Sequence, residues 1–138
     1  MNRILYSDMN GKYTLLHYNR SHSELLLRKR VNAVNMDILF KSVQSIFLAF
    51  ELHGIEISIV EDERDLLILK EKYSFSTDYG YRVYSLRTSD NKHFYLNGGV
   101  FGVFNNELDI LESSIGDFTW STNIRLIFCS EGNQTKPT

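Results

Sequence analysis

Four histidines, one cysteine and a few serines and carboxylates are the residues of this chain whose types could do chemistry. Their spacing decides what they can do. His17, His22, His53 and His93 form neither an HxH pair nor an HExxH motif, the arrangements that set two imidazoles on one face to hold a metal. His22 and Glu24 would share one face of a strand and supply two ligands, but no third is identifiable. A histidine at a strand entry beside a solvated carboxylate is the simpler reading. Ser23 follows His22 directly, and neighbours along a strand point to opposite faces, which is poor geometry for passing a proton. No G-x-S-x-G elbow occurs. Cys129 stands behind Phe128 in an apolar run and reads as a buried, inert thiol. As the only cysteine it rules out an intramolecular disulfide and a zinc site built on several thiolates. Gly98-Gly99 lacks the spacing, the lysine and the following helix of a phosphate loop, and a bulge between paired strands explains it. These patterns predict no catalytic residue, no metal and no cofactor, and they disfavour an enzyme.

Two groups suit binding better than catalysis. Glu61, Asp62 and Glu63 form an acidic corner that could dock a partner; EF-hand spacing is missing, and a solvated corner is the competing reading. Tyr79, Tyr81 and Tyr84 offer the amphipathic rings that interfaces favour. With the basic run Arg28-Lys29-Arg30 they could also stack and hold single-stranded nucleic acid. The formal net charge of −2 argues against that, because nothing in it gathers phosphates.

The elements that must position these residues read mostly as strands. Residues 3–6 form a short strand, Asp8-Met9-Asn10-Gly11 a hairpin turn, and residues 12–18 an alternating strand. Residues 23–29 resume as an apolar strand, giving a meander of three. Residues 31–35 read as a polar connection. The densest apolar stretch, residues 35–60, fits two shapes over its first part. As a helix, Leu39, Val43, Ile46, Phe47 and Phe50 line one stripe. As strands, Ile38 and Phe40 share a face, a bend falls near Lys41-Ser42, and residues 43–50 form a second buried strand. The β-branched and aromatic content favours strands.

Beyond Leu52-His53-Gly54, Ile55, Ile57 and Ile59 alternate with Glu56 and Ser58 as a half-buried strand. The acidic corner suits the positive end of a short helix whose buried face would hold Leu66, Leu69 and Tyr73. A strand over residues 66–70 is the alternative. Residues 81–87 and 93–97 form a hairpin around Ser89-Asp90-Asn91, residues 100–104 and 123–129 are strands, and residues 108–111 extend the meander. A loop over residues 113–121 tucks Trp120 onto the body.

The predicted architecture is mainly β, an antiparallel β-sandwich or open barrel with one short helix. Residues 1–129 form a single β-rich domain, and residues 130–138, with the only proline, Pro137, a disordered tail. No N-terminal signal pattern and no long apolar run stand out, so a cytoplasmic location without membrane contact is expected.

His22-Ser23-Glu24-Leu25-Leu26-Leu27-Arg28, then Asn35-Met36-Asp37-Ile38-Leu39-Phe40-Lys41-Ser42-Val43 and Gly54-Ile55-Glu56-Ile57, resemble small proteins of Bacillus-type bacteria, some of them encoded near polymorphic toxins. The likeness covers roughly the first half of the chain and carries no catalytic residues. It implies an immunity-like role. The expected function is therefore a non-catalytic, cytosolic protein-binding module whose partner is another protein, with a toxin domain as the leading candidate. A ligand-binding barrel or small enzyme with a Tyr/Phe-lined pocket is the alternative, and a homo-oligomer is a further option.

Overall fold

Nine strands, one α-helix and a short 3-10 turn at Asp78–Gly80 make up the regular structure in the computed structural model, which describes residues 2–109 and 124–131. The strands are β1 (Asn2–Asn19), β2 (Glu24–Val31), β3 (Val34–Phe40), β4 (Ser45–Phe47), β5 (Glu51–Val60), β6 (Arg82–Arg87), β7 (His93–Gly98), β8 (Phe101–Asn106) and β9 (Ile124–Cys129). The helix α1 (Glu63–Tyr73) follows β5. All pairings are antiparallel, in one open sheet ordered β4-β7-β6-β5-β1-β2-β3-β8-β9. The fold is mainly β with a single helix, as the alternating pattern predicts.

The sheet is coiled so strongly that distant strands meet across its inner face. Phe40 of β3 touches Tyr84 of β6 at 5.6 Å between ring centroids, and Phe101 of β8 lies 5.1 Å from Phe40 and 5.4 Å from Tyr84. Main-chain bonds from Lys41 to Val100 and from Gln44 to Asn97 carry the β3–β8 and β4–β7 pairings into the connections that follow β3 and precede β4. Period-two alternation selects the inner residues: Leu25 and Leu27, Ile38 and Phe40, Ile55 and Ile57, Tyr84 and Leu86, Phe101 and Val103. The outer face is covered in two places. Leu66, Leu69 and Tyr73 of α1, with Phe75, pack on Val60, Val83 and Tyr95. Leu26, Leu39 and Phe104, flanked by Leu16 and Leu126, form a smaller cluster on β2, β3 and β8.

The predicted helix is present, with Leu66, Leu69 and Tyr73 on its packed side as the spacing requires. Asp62 is its N-cap: the carboxylate accepts from the backbone N–H of Arg64 at 3.0 Å and of Asp65 at 3.2 Å. Asp62→Ala leaves those donors to water and is expected to cost about 1 kcal/mol, read as a shift in urea midpoint at constant slope. An unchanged midpoint would mean that packing alone holds α1.

Three local expectations are corrected. Asn10-Gly11 does not turn a hairpin; β1 runs straight through it as one 18-residue strand. Asp8 faces Ile55 and Lys12 faces His53, so residues 9–11 bulge opposite the single residue Gly54. Gly11, at φ +80°, supplies the left-handed conformation that a bulge needs as much as a hairpin does, and continued pairing with β5 decides between them. The real hairpin lies where a polar connection is expected. Asn32 and Ala33, both at positive φ (52° and 64°), form a two-residue turn between Val31 and Val34. Residues 43–50 do not make a long buried strand: only Ser45–Phe47 pair, and Phe50 is 77% exposed. The bend predicted near Lys41-Ser42 is found, with Ser42 at φ 53°. The predicted loop over residues 113–121 with Trp120, the end of the 108–111 extension and residues 132–138 of the predicted tail lie outside the described residues.

Candidate functional site

The structure scatters the residues whose types could form a reaction centre. His17, His22, His53 and His93 are all exposed, on β1, on the β1–β2 turn, on β5 and at the start of β7. Cys129 is half-buried in β9. The acidic corner is absorbed into local structure. Glu61 takes a two-point contact from the Arg3 guanidinium (3.2 and 3.3 Å), whose hydrogen bonds hold its carboxyl below the usual range. Asp62 caps α1, and Glu63 stands in its first turn. Of the tyrosines, Tyr79 is 97% exposed, Tyr81 is half-buried, and Tyr84 is wholly buried with its hydroxyl donating to the Gly99 carbonyl at 2.5 Å. Tyr84 is therefore a core residue and presents no surface to a partner.

What the sequence reading missed is a groove on β1 and β2 with a volume of about 410 Å³. Gly11, Lys12, Thr14 and Leu16 line it from β1, and Arg28, Lys29, Arg30 and Val31 from β2. Its origin is the bulge. β1 and β2 pair from Asn19↔Glu24 to Thr14↔Arg28 and then part, because β1 swings away at residues 9–11 to follow β5. Lys29, Arg30 and Val31 continue along β3 with no β1 partner, and the gap between the diverging strands is the groove. Gly11 keeps this junction tight, since a Cβ there would stand 2.6 Å from the Lys29 side chain. A second hollow of about 350 Å³, lined by Lys29, Val31, Val34, Asn35 and Met36, shares two of these residues.

The cations of the groove differ in how firmly they are held. Arg28, 5% exposed, meets Asp37 through two parallel hydrogen bonds of 2.7 and 2.8 Å. The wholly buried Asp37 also accepts from the Asn106 amide at 2.7 Å. Asn35 donates to the Asn106 side-chain oxygen and to the Leu108 carbonyl, and Arg30 donates to Asn35 and to Leu108. Arg28 also reaches the Asp109 carbonyl at 3.2 Å. These bonds fasten the chain leaving β8 onto the outer face of β2 and β3. Arg30 meets no carboxylate among the described residues, and Lys12 pairs with Glu51 at 2.8 Å where both side chains are about half exposed.

Lys29 lies against Asp8, which also accepts from the Tyr13 hydroxyl at 2.7 Å, and the Lys29 ammonium stands 5.5 Å from the Tyr13 ring centroid. Burial pushes the Asp8 carboxyl up, but the hydrogen bonds from Lys29 and Tyr13, the Lys29 charge and the Asn10 backbone N–H together outweigh it and hold the group below its usual range. Burial pushes the Tyr13 hydroxyl far up, so it stays protonated and donates. A carboxyl depressed by folding contributes stability that is present above its unfolded pKa and lost as pH falls through the folded one. Between about pH 4 and pH 2 the urea midpoint of Asp8→Asn should therefore fall less than that of the parent chain. Parallel acid limbs would show that the Lys29–Asp8–Tyr13 cluster adds no net stability.

Among the described residues no group of three or more His, Cys, Asp or Glu is placed to hold a metal ion, and no helix is long and apolar enough to cross a membrane. No family model matches the chain, and neither the curated proteins nor the solved structures contain a match to it.

Proposed function

We propose that the protein is a non-catalytic protein-binding module, with a toxin domain that it neutralises as the leading candidate partner. The observation that carries the reading is where the aromatic residues have gone. Tyr13, Tyr84, Phe40 and Phe101, the rings a barrel would use to line a ligand pocket, are at most 1% exposed, and the last three pack on one another. Among the described residues these rings pack the inner face of the sheet, and the concave surface on β1 and β2 is an open groove on the outside, of a kind that suits a polypeptide segment. The ligand-binding barrel or small enzyme would need convergent polar groups in a cavity, whereas His17, His22 and His93 all face outward. The resemblance of roughly the first half of the chain to small proteins of Bacillus-type bacteria, some of them encoded near polymorphic toxins, points the same way.

The test is co-expression and co-purification with the products of adjacent genes. The expected result is a stable complex with one of them and relief of that protein's toxicity to the host cell. If no neighbour binds and no toxicity is relieved, the reading fails.

A further inference from the structure

We propose that the groove between β1 and β2 takes an acidic polypeptide segment, and that Lys12, Arg30 and Val31 are the residues that select it. The inference rests on the protein-binding reading above and names the chemistry of the partner. Four of the eight residues lining the groove are cations and none is acidic, in a chain whose formal net charge is −2. Counted with the carboxylates that three of them pair with, Asp37, Asp8 and Glu51, these cations leave an excess of one positive charge at the groove.

The four cations are not equivalent. Arg28 is neutralised by the wholly buried Asp37, and Lys29 is largely enclosed with Asp8. Neither is offered to a partner. Arg30 spends its hydrogen bonds on an amide oxygen and a carbonyl, leaving its charge uncompensated by any carboxylate among the described residues. Lys12 is held only by Glu51, with side chains 51% and 53% exposed. An exposed pair of that kind is worth about 0–1 kcal/mol, so an incoming carboxylate can replace Glu51 at little cost. Two cations on diverging strands are therefore available to carboxylates. Leu16 and the 54% exposed Val31 offer apolar surface beside them.

This combination fits an acidic peptide with an apolar side chain among its carboxylates better than it fits nucleic acid. A duplex or single strand is held by neutralising many phosphates in a row, and two available cations beside an apolar wall do not provide that. The same features set specificity: the charges would steer and orient the segment, and desolvation of Val31 and Leu16 would select the side chain between the carboxylates.

The experiment titrates the folded full chain with a fluorescent synthetic peptide in which glutamates flank a leucine. Its glutamine counterpart and a single-stranded DNA of equal charge serve as controls, with backbone amide shifts followed in parallel. The expected result is saturable binding of the acidic peptide, weakened by salt, with amide shifts concentrated at residues 11–16 and 28–31. Lys12→Glu should weaken it by about fivefold without changing the melting temperature, and Val31→Glu by at least as much. The proposal is overturned by any of four results: no binding of the acidic peptide up to about 1 mM, equal binding of the glutamine peptide, equal binding of the DNA, or indifference to both substitutions. If a neighbouring gene product binds but Lys12→Glu and Val31→Glu leave that complex unchanged, the groove proposal falls while the protein-binding reading stands. If the peptide binds as described and no gene product does, the groove proposal holds and the toxin partner falls.

Discussion

Asp37→Ala should be the most damaging single side-chain truncation in the sheet, costing about 3–5 kcal/mol of a total stability on the order of 5–15 kcal/mol. The reason is the company Asp37 keeps. Its two oxygens accept from Arg28 at 2.7 and 2.8 Å and from Asn106 at 2.7 Å, all three side chains being at most 5% exposed. Removing the carboxylate leaves a guanidinium charge and an amide donor in a place that water reaches poorly, and the penalty is the desolvation of those groups more than the lost bond. The effect should spread along the chain, because Arg28 and Asn106 belong to the set of bonds that holds Leu108 and Asp109 to the sheet. The measurement is urea unfolding of Asp37→Ala beside Asp37→Ala/Arg28→Met. Removing both charges should recover a large part of the loss, since an apolar pair of similar volume carries no unmet charge. A cost below about 1 kcal/mol for the single variant would mean that Arg28 finds water or another acceptor, and the network would then have no structural importance.

Gly54→Ala is the second large effect, for a backbone reason. Gly54 lies within β5 at φ +74°, opposite the bulge of β1, and a Cβ on it would stand 2.6 Å from the Met9 carbonyl oxygen and 3.0 Å from its carbonyl carbon. The left-handed conformation costs an L-residue about 1–2 kcal/mol. Forcing the two strands apart adds about 1–3 kcal/mol, because a backbone carbonyl fixed between the pairings at Asp8 and Lys12 cannot move away as a side chain would. The sum is about 2–5 kcal/mol. Gly80→Ala is the control: its φ is +83°, but nothing lies within 4 Å of the added methyl. It should therefore show the conformational cost alone, about 1–2 kcal/mol. Equal losses at the two positions would show that β1 and β5 are free to separate at the bulge. That result would also remove the stated origin of the groove, whose opening depends on β1 being held to β5 on both sides of residues 9–11.

Most strands could be read from alternation. Residues 55–59 on β5, the β6–β7 hairpin and β9 are all close to where the pattern of apolar and polar residues places them. The helix could be read from two signals, the acidic corner at its positive end and an apolar stripe through Leu66, Leu69 and Tyr73, whereas the capping role of Asp62 and the choice over a strand at 66–70 came from the structure. The candidate groove was not legible, and the basic run shows why. Arg28-Lys29-Arg30 reads as three equivalent surface cations, yet one is buried against Asp37, one is enclosed with Asp8, and one is left over. One local signal separates them. A two-residue turn at Asn32-Ala33 places Arg28 opposite Asp37 by register alone, and an arginine facing an aspartate within apolar strands suggests a buried pair. Ala33 hides that turn, since alanine is not a residue that ordinarily signals positive φ.

Amino-acid order was enough to specify the class of structure, because side-chain alternation and helix capping are properties of a few consecutive residues. It specified the face shared by Ile38 and Phe40 on β3 and the inward face of Ile55 and Ile57 on β5 for the same reason, but not that of β6, whose Tyr84 was expected at a surface and is buried. Whether Asn10-Gly11 would reverse the chain or merely bulge it was settled by β5, a strand more than forty residues away, which pairs with β1 on both sides of that point. The divergence of β1 from β2, the groove it opens and the fate of each cation lining it all follow from that long-range pairing. Positive φ at Gly11 is compatible with either outcome, and only the hydrogen bonds of a distant partner make one of them lower in free energy.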